Sequence, residues 1–393
     1  MLAALMLAAF AFNTTENLPI GLLRPISADL RVSLPAVGLL VTGYGVTVAA
    51  TSLPVAQVTR AIPRRHLLTG LLAVFALASW APLAIGRSYP GLLAARIATA
   101  LAQALFWAVS GPVAVGLFPP SRRGRIIGLV SVGGSLAQVL GVPAGTWLGG
   151  AWGWHAPFLV LGGAGLVALA VVAALLPTTV PGQGHAARGS APDARRFTAV
   201  LAATALSATG VFTGFTYLTA FLTGTGRFPD AAVSVLLTVY GGAGFVAVVL
   251  AGTVLDRCPR AVPVLLATGQ TAGLWGLYAS GGHGRAVTVG ALVLLGVSTG
   301  PFFMATQNLV FRTVPGRTEL GLAGNSAAFN VGVAAGASAG GLLLPTVGVR
   351  GLFLVGGLVT ALVLAVLLVP VGRSKRAVAG ADGSEQWPED RQE

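Results

Sequence analysis

The residues best suited to chemistry lie between Ala11 and Pro25, in the stretch AFNTTENLPIGLLRP. This stretch places Asn13, Glu16 and Asn17 within an apolar segment that is long enough to cross a membrane. An ionised side chain at the centre of such a segment costs about 2.5–3.5 kcal/mol even on the mildest scale, so it usually faces a water-filled cavity or a partner. We therefore interpret Glu16 as part of a solute pathway.

The three polar residues fall within about 100° of one another on a helix, so they share one face. Pro19 follows on the same helix and has no backbone N–H, which leaves the carbonyl group of Thr15 without its usual helical donor. The segment is therefore predicted to be locally loosened beside its carboxylate.

Glu16 is the best candidate for a proton carrier, because it is the only one of the eleven acidic residues predicted to lie deep in a span. Burial favours the neutral form of a carboxyl group, which suits reversible protonation. The alternative is a permanently ionised glutamate that binds solute hydroxyl groups or pairs with Arg96. The sequence leaves both open.

A second polar stripe, of Arg96, Thr99, Gln103, Trp107 and Ser110, runs along one face of a later apolar segment. Arg96 is predicted to lie about 8 Å inside this segment, at 1.5 Å per residue, which is a depth similar to that of Glu16. We therefore predict that Arg96 can pair with Glu16 and that the two residues together serve proton coupling. The Gln103 amide can bond sugar hydroxyls while the Trp107 ring stacks on the C–H face of a sugar. The same pair would suit an aromatic drug, and Trp107 could instead pack against the core or lipid.

The second half of the chain supplies further polar groups in apolar segments, and we predict that they bind substrate as well. They are Tyr217, Gln307, Asn308, Asn325 and Asn330. Hydrogen bonding between helices would also explain each of them. Tyr44, Phe215 and Phe302 are further candidates for the cavity wall.

The composition indicates the class of protein that must position these residues. The 393 residues are 55% hydrophobic and only 9% charged, whereas soluble domains carry about 25% charged residues. The net charge of +13 comes from short basic clusters between apolar runs, which is typical of loops that set membrane topology and not of a nucleic-acid interface. A polytopic membrane protein is therefore predicted.

Several function classes have no support in the sequence. The single cysteine, Cys258, excludes an internal disulfide and a cysteine metal site, and the four histidines lack metal-binding spacing. There is no phosphate-binding loop, dinucleotide fingerprint or catalytic triad, so we expect no cofactor, no metal and no enzyme activity. A signal peptide is not expected either, and a start codon upstream of the first span stays open.

Twelve apolar segments are long enough to span a membrane at roughly 20 residues each. They lie at about 2–23, 34–56, 66–86, 91–117, 124–148, 156–177, 197–223, 231–254, 261–281, 285–310, 319–345 and 351–371. The polar segment 178–196 divides them into two sets of six, and 372–393 forms a polar tail. We therefore predict an all-α membrane protein with bundles at 1–177 and 197–371, a cytoplasmic linker and a disordered cytoplasmic tail.

Basic residues set the predicted orientation. If the N-terminus is cytoplasmic, the inner loops and the tail hold seventeen of the 24 basic residues and the outer loops hold six. This bias favours a multi-pass protein of the cell membrane with both termini cytoplasmic.

The two halves repeat each other in sequence. The fifth span carries a small residue at every fourth position (Gly133, Ala137, Gly141, Gly145 and Gly149), and the eleventh span repeats this stripe 195 residues later (Ala328, Gly332, Gly336 and Gly340). Such stripes allow close packing between helices. They would also allow the helices to slide as the halves rock. Parallel six-span repeats are a known transporter plan, with solute bound between the halves.

Four segments carry a resemblance to a known family. FNTTENLPIGLL, RIATALAQALFW, GVPAGTWLGGAWGWHAPF and NSAAFNVGVAAGASAGG resemble the major facilitator superfamily. More narrowly, they resemble the sugar efflux transporters and arabinose efflux permeases of its drug:proton antiporter-1 branch. The antiporter signature corresponds to Gly141, Pro143 and Gly145, to which the resemblance gives a role in gating.

The loop signature of the superfamily is better kept in the second half, where Asp256, Arg257 and Arg260 match it. In the first half Ala56 and Arg60 replace the usual glycine and aspartate. We predict that Asp256 and the two arginines form an inner gate contact. The alternative is ordinary loop charge.

The resemblance implies the fold and the function together. The fold is the major facilitator fold, twelve transmembrane helices in two pseudo-symmetric six-helix bundles. The function is proton-coupled export of a small organic solute by alternating access, most readily a sugar such as arabinose or a related glycoside. A multidrug or chloramphenicol-type antiporter is the alternative, and a non-transporting solute sensor is a third reading. The expected partners are the solute, protons and the lipid bilayer, with no nucleic acid, and the protein is expected to be a monomer.

Overall fold

The structure is a computed structural model. It describes residues 1–59, 62–116, 123–177, 192–255, 258, 261–281, 284–315 and 318–368. These residues form helices and short connections, and no strand occurs among them. The helices are α1 (Leu2–Gly21), α2 (Leu23–Leu30), α3 (Leu34–Val58), α4 (Arg64–Ala84), α5 (Tyr89–Gly116), α6 (Arg123–Leu136), α7 (Val142–Trp152), α8 (Ala156–Leu175), α9 (Ala194–Phe215), α10 (Leu218–Thr223), α11 (Asp230–Leu255), α12 (Ala261–Ala279), α13 (Arg285–Thr313) and α14 (Thr318–Leu368).

The prediction of an all-α membrane protein is confirmed. Within the described ranges, eight helical stretches are long and apolar enough to cross a membrane. Several spans are interrupted: a π-helical turn at Ala137–Gly141 joins α6 to α7, and α14 breaks at Gly348, whose φ is 67°. The count of twelve spans stays a prediction.

The sequence repeat is also a repeat of conformation. The break between α1 and α2 lies at Leu22, with φ −109° and ψ 16°, and the break between α9 and α10 lies 195 residues later at Tyr217, with φ −105° and ψ 14°. The Trp80 indole donates to the Leu159 carbonyl at 3.0 Å, and its counterpart Trp275 donates to Leu354 at 3.4 Å. Both halves therefore contain the same helix break and the same tryptophan hydrogen bond at equivalent positions.

Helix packing follows the same plan in each half. In the first half α1 packs on α6, α7 and α8, and α5 packs on α3 and α4; in the second half α9 packs on α14, and α13 packs on α11 and α12. The halves meet where α3 lies against α14, and where α11 lies against the π-helical turn and α7.

The small-residue stripes lie against the first helix of their own half. A Cβ at Gly141 would overlap the Thr14 side chain of α1, and a Cβ at Gly336 would overlap the Thr209 carbonyl of α9. Because glycine has no side chain, each helix pair can approach to backbone distance. This supports the packing interpretation, and the gating role of Gly141, Pro143 and Gly145 stays a prediction.

An ion pair ties α2 to the rest of the first half. One carboxylate oxygen of Asp29 accepts from Arg87 Nε at 3.0 Å, and the other accepts from Trp154 Nε1 at 2.9 Å. The Trp154 hydrogen bond, and then the Arg87 charge, hold the pKa of Asp29 below its ordinary value. The His155 ring lies on Trp154 with 3.7 Å between centroids, and burial lowers the pKa of His155.

Candidate functional site

Glu16 lies in the last two turns of α1, and its side chain is partly exposed. Its Oε2 accepts a hydrogen bond from Gln103 Nε2 of α5 at 2.7 Å. Ion pairs in the described part of the chain include those of Asp29 with Arg87 and of Asp193 with Arg196, and none joins Glu16 to Arg96. The Glu16 carboxylate is therefore held by a neutral amide and not by an ion pair with Arg96.

Arg96 of α5 contacts the backbone of α1. It is only 2% exposed, and its Nη1 donates to the Thr15 carbonyl while Nη2 donates to the Glu16 carbonyl at 2.9 Å. The Thr15 carbonyl is the one that Pro19 leaves without a helical donor. Arg96 thus provides the missing donor and places a fixed positive charge beside Glu16.

Tyr44 of α3 completes the arrangement. Its hydroxyl donates to Gln103 Oε1 at 2.6 Å, and the Arg96 guanidinium lies 4.3 Å from the centroid of its ring. Glu16, Tyr44, Arg96 and Gln103 therefore form a connected set, which we call the Glu16 network. Sequence reasoning ranked Tyr44 only as a minor wall residue, and the only available signal was a tyrosine in an apolar segment.

Asn13 and Trp107 lie beside this network, around Gly134 of α6. Asn13 Nδ2 donates to the Gly134 carbonyl at 3.2 Å, and a Cβ at Gly134 would lie 3.2 Å from the Trp107 ring. Trp107 is 36% exposed. Asn17 is buried and donates to the Asn13 carbonyl at 3.1 Å within α1. The structure thus brings Asn13, Gln103 and Trp107 around Glu16, whereas Asn17 is buried and bonds within α1.

The second-half candidates are dispersed. Tyr217 is fully buried where the halves meet, close to Gly38 of α3, and its hydroxyl donates to the Ala337 carbonyl at 3.4 Å. Asn325 is fully buried and bridges Thr204 and Thr306, as interhelical hydrogen bonding predicts.

The remaining amides make bonds within their own helices or lie partly exposed. Asn330 donates to the Ser326 carbonyl at 2.9 Å, and Asn308 accepts from Arg312 at 3.0 Å. Gln307 is partly exposed. The predicted gate residues Asp256, Arg257 and Arg260 lie outside the described residues.

An aromatic cavity wall replaces the polar network in the second half. A small cavity between α9, α13 and α14 is lined by Phe212, Phe302, Phe303 and Phe329, with Thr204 and Ser207 beside them. At the repeat offset of 195, Glu16 corresponds to Val211 and Asn17 to Phe212. One half therefore presents a carboxylate and amides, whereas the other presents aromatic rings.

The halves contact each other at the end where α2 and α10 lie, which we call the closed end. Thr219 Oγ1 donates to the Ile20 carbonyl at 3.0 Å, and Ser338 donates to Thr42 at 3.1 Å. Gly241 of α11 also lies against the Gln138 carbonyl of the π-helical turn. Gln138 lies eleven residues before Gly149, which packs on Leu22 at this end, so the close backbone approach at Gly241 extends the contact between the halves towards the middle of the helices.

Comparison with protein families decides the identity of the fold. The model of the Major Facilitator Superfamily matches residues 4–228 and again 200–388. The chain belongs to the Major Facilitator Superfamily. Its members are transporters of small molecules and not enzymes, so the chain is a multi-pass membrane transporter.

Known proteins of this superfamily resemble the whole chain. It is 31% identical over 362 residues to a "Probable sugar efflux transporter" of Mannheimia succiniciproducens, covering 90% of this chain and 89% of that one. A bacterial homologue of the human lysosomal transporter Spinster, solved inward-facing and unoccupied, has a TM-score of 0.72 at 14% identity, covering 93% of this chain and 95% of that one. A mutant of the nucleoside transporter NupG has a TM-score of 0.74 at 9% identity, covering 93% and 98%. The two structures support the fold alone.

Proposed function

We propose that this transporter exports a sugar or a related glycoside in exchange for protons, by alternating access. The observation that carries the proposal is the Glu16 network: a carboxylate in a membrane helix, partly exposed, with amide donors and an arginine beside it. The sugar efflux relative in Mannheimia succiniciproducens supports the class of solute.

The network suits proton exchange because the carboxylate is not locked by an ion pair. Breaking a buried ion pair costs about 3–5 kcal/mol, whereas Glu16 needs only to rearrange one amide hydrogen bond. Arg96 keeps its charge on the α1 backbone in both protonation states. In this proposal Glu16 takes up a proton when the solute has left the cavity and releases it when solute binds there.

The solute is proposed to lie between the two dissimilar walls. Asn13 and Gln103 offer hydrogen bonds to hydroxyl groups, and Trp107 offers a ring for a C–H face. Other polar residues are weaker candidates for binding the solute, because their observed contacts are local, structural or away from the network. They are Asn17, Tyr217, Gln307, Asn308, Asn325 and Asn330. The aromatic wall of the second half specifically favours the second candidate function, export of an aromatic drug with protons.

Alternating access is proposed to open the closed end to the outside of the cell. In this topology both termini and the segment 178–196 are cytoplasmic, the protein is a monomer in the cell membrane, and the closed end is the outer gate. The loop residues Asp256, Arg257 and Arg260 are proposed to hold the inner gate.

Transport in proteoliposomes tests this function. Vesicles with an imposed pH gradient are supplied with labelled arabinose, an aryl glycoside or chloramphenicol. We expect the sugar or the glycoside to move uphill, against the direction of proton flow. Binding without movement would contradict transport, and uphill movement of chloramphenicol alone would favour the drug exporter.

Enlarging Gly241 tests the contact between α11 and the π-helical turn. Gly241→Leu should hold α11 away from the Gln138 carbonyl, since overpacking a tight contact costs about 1–3 kcal/mol, which is about 5- to 150-fold in the population of the form that makes this contact. The initial rate of solute counterflow is expected to fall accordingly. Gly242→Leu is the matched control, because a Cβ at Gly242 meets no atom within 4 Å. Equal rates for the two variants would show that closure here does not limit transport.

A further inference from the structure

We propose that Gln103 and Tyr44 form a two-state hydrogen-bond relay that reports the protonation of Glu16 to the contact between the two halves. The inference rests on the proposed proton coupling. It adds a mechanism by which a proton on α1 moves α3, and it gives Tyr44 the role of a positioning residue.

The relay follows from the chemistry of the amide. With Glu16 ionised, the carboxylate only accepts hydrogen bonds, so Gln103 presents Nε2 to it at 2.7 Å and Oε1 to the Tyr44 hydroxyl at 2.6 Å. When the proton is on Oε2, the oxygen that Gln103 contacts, its O–H donor faces the Nε2 donor. The favourable response is a half-turn of the amide, so that Oε1 accepts from Glu16 and Nε2 faces Tyr44.

Tyrosine is the side chain that tolerates both states. Its hydroxyl oxygen can donate or accept, so Tyr44 donates to Oε1 in one state and accepts from Nε2 in the other. No covalent bond of Gln103 or Tyr44 breaks. Glu16 gains one proton from the aqueous cavity, and the Tyr44 hydroxyl keeps its own proton and turns it away from Gln103.

The surroundings of Tyr44 prevent it from absorbing this change alone. Its side chain is 1% exposed, and the Arg96 guanidinium, which is anchored on the α1 backbone, lies over its ring. When the amide turns, the 2.6 Å O–H···O bond is replaced by an N–H···O bond, which is longer, at about 2.9–3.0 Å. Because the Tyr44 ring cannot move aside, the backbone of α3 takes up this difference.

The backbone of α3 at this point is the contact with the other half. A Cβ on Gly45 would lie 3.0 Å from the Asn330 carbonyl of α14, and Thr42 accepts from Ser338 of α14 at 3.1 Å. Gly45 directly follows Tyr44, so a small displacement of the backbone at Tyr44 also shifts the contact of Gly45 with α14. Packed interfaces respond to such shifts by changing between discrete arrangements.

Among the described residues, Arg96 and Tyr44 are the titratable groups that lie beside Glu16 and its Gln103 bond. Of the elements packed against α1, α3 contributes Tyr44, and α5 contributes Arg96 and, at its start, Tyr89, whereas the π-helical turn, α7, α8 and α10 contain no titratable side chain. The titratable residues of α2, Arg24 and Asp29, lie near the helix ends, outside the network, and those of α6, Arg123 and Arg125, belong to its first turn. On α11, Asp230 lies at the helix start, and Tyr240 packs on Phe215 at 4.7 Å.

The test separates protonation from its transmission. In a Cys258→Ser background, spin labels are placed at the closed end through Ala28→Cys and Ala231→Cys, and the distance between them is measured at pH 5 and pH 8. Infrared difference spectra follow the carboxyl band that disappears in Glu16→Gln. In the labelled protein with an unchanged Glu16 network, we expect the carboxyl band to titrate and the distance between the spin labels to depend on pH.

Tyr44→Phe is expected to keep the titrating band and to lose the pH-dependent change in distance. Tyr89→Phe is the matched control, because the Tyr89 hydroxyl also joins α5 to α3, donating to the Ala36 carbonyl at 2.6 Å, and it should keep both signals. Gln103→Met has no amide to turn, so it should also keep the titrating band and lose the pH-dependent change in distance. This variant replaces Tyr44→Phe in the experiment if Tyr44→Phe does not fold.

Two results would overturn the relay. A pH-dependent distance that survives in Tyr44→Phe and in Gln103→Met removes the relay but leaves proton coupling intact. A parent protein with neither a titrating Glu16 band nor a pH-dependent distance removes the proposed coupling together with the relay.

Discussion

Glu16→Gln is expected to abolish uphill, proton-driven export while solute exchange down a gradient continues. The neutral amide can still hydrogen-bond to Gln103 and keep the cavity shape, but it cannot take up and release a proton. The measurement compares uphill transport under a pH gradient with counterflow at equal pH in the same proteoliposome preparation. The expected change in uphill accumulation is complete loss.

Two controls sharpen this experiment. Asp230→Asn removes a carboxylate at the start of α11, outside the network, and should leave both assays unchanged. Glu16→Asp keeps a titratable group one methylene shorter and should retain part of the uphill transport. Unchanged uphill transport in Glu16→Gln would remove Glu16 from proton coupling and favour its role as a solute ligand.

Arg96→Lys is expected to impair both stability and transport despite the conserved charge. The guanidinium forks onto the Thr15 and Glu16 carbonyls and stacks on Tyr44, whereas an ammonium group is a point charge that cannot reproduce this planar fork. Hydrogen bonds to charged groups contribute about 1.5–3 kcal/mol each. Losing one should lower the unfolding free energy by that amount and slow transport about tenfold or more.

Arg285→Lys is the matched control for this substitution. Arg285 also donates to a backbone carbonyl, that of Arg227, at 3.1 Å, and lies 5.6 Å from the Phe228 ring, but it is exposed. Thermal unfolding and initial transport rates of the purified variants provide the comparison. If Arg96→Lys matched Arg285→Lys in both measurements, the two hydrogen bonds from the Arg96 guanidinium to α1 would not be required for stability or transport.

The amino-acid sequence by itself determined the class of protein, its helical character and the repeat. Apolar runs specify helices wherever backbone groups must satisfy their own hydrogen bonds in lipid, and the repeat could be read because matching residues recur at a fixed offset of 195. Glu16 and Pro19 could also be identified locally. The free Thr15 carbonyl follows from proline chemistry alone, so the need for an external donor was evident before the donor was known.

Only the tertiary structure decided which side chains meet. Gln103 donates to Glu16 from a position 87 residues away in the sequence. Arg96 binds two backbone carbonyls of α1, whereas its depth in the membrane had suggested a pair with the Glu16 carboxylate. Tyr44 joins the network, whereas Tyr217 lies at the contact between the halves. Helical periodicity tells which residues share a face, but not which neighbouring helix that face meets, because the rotation and tilt of each helix are set by packing contacts from distant parts of the chain.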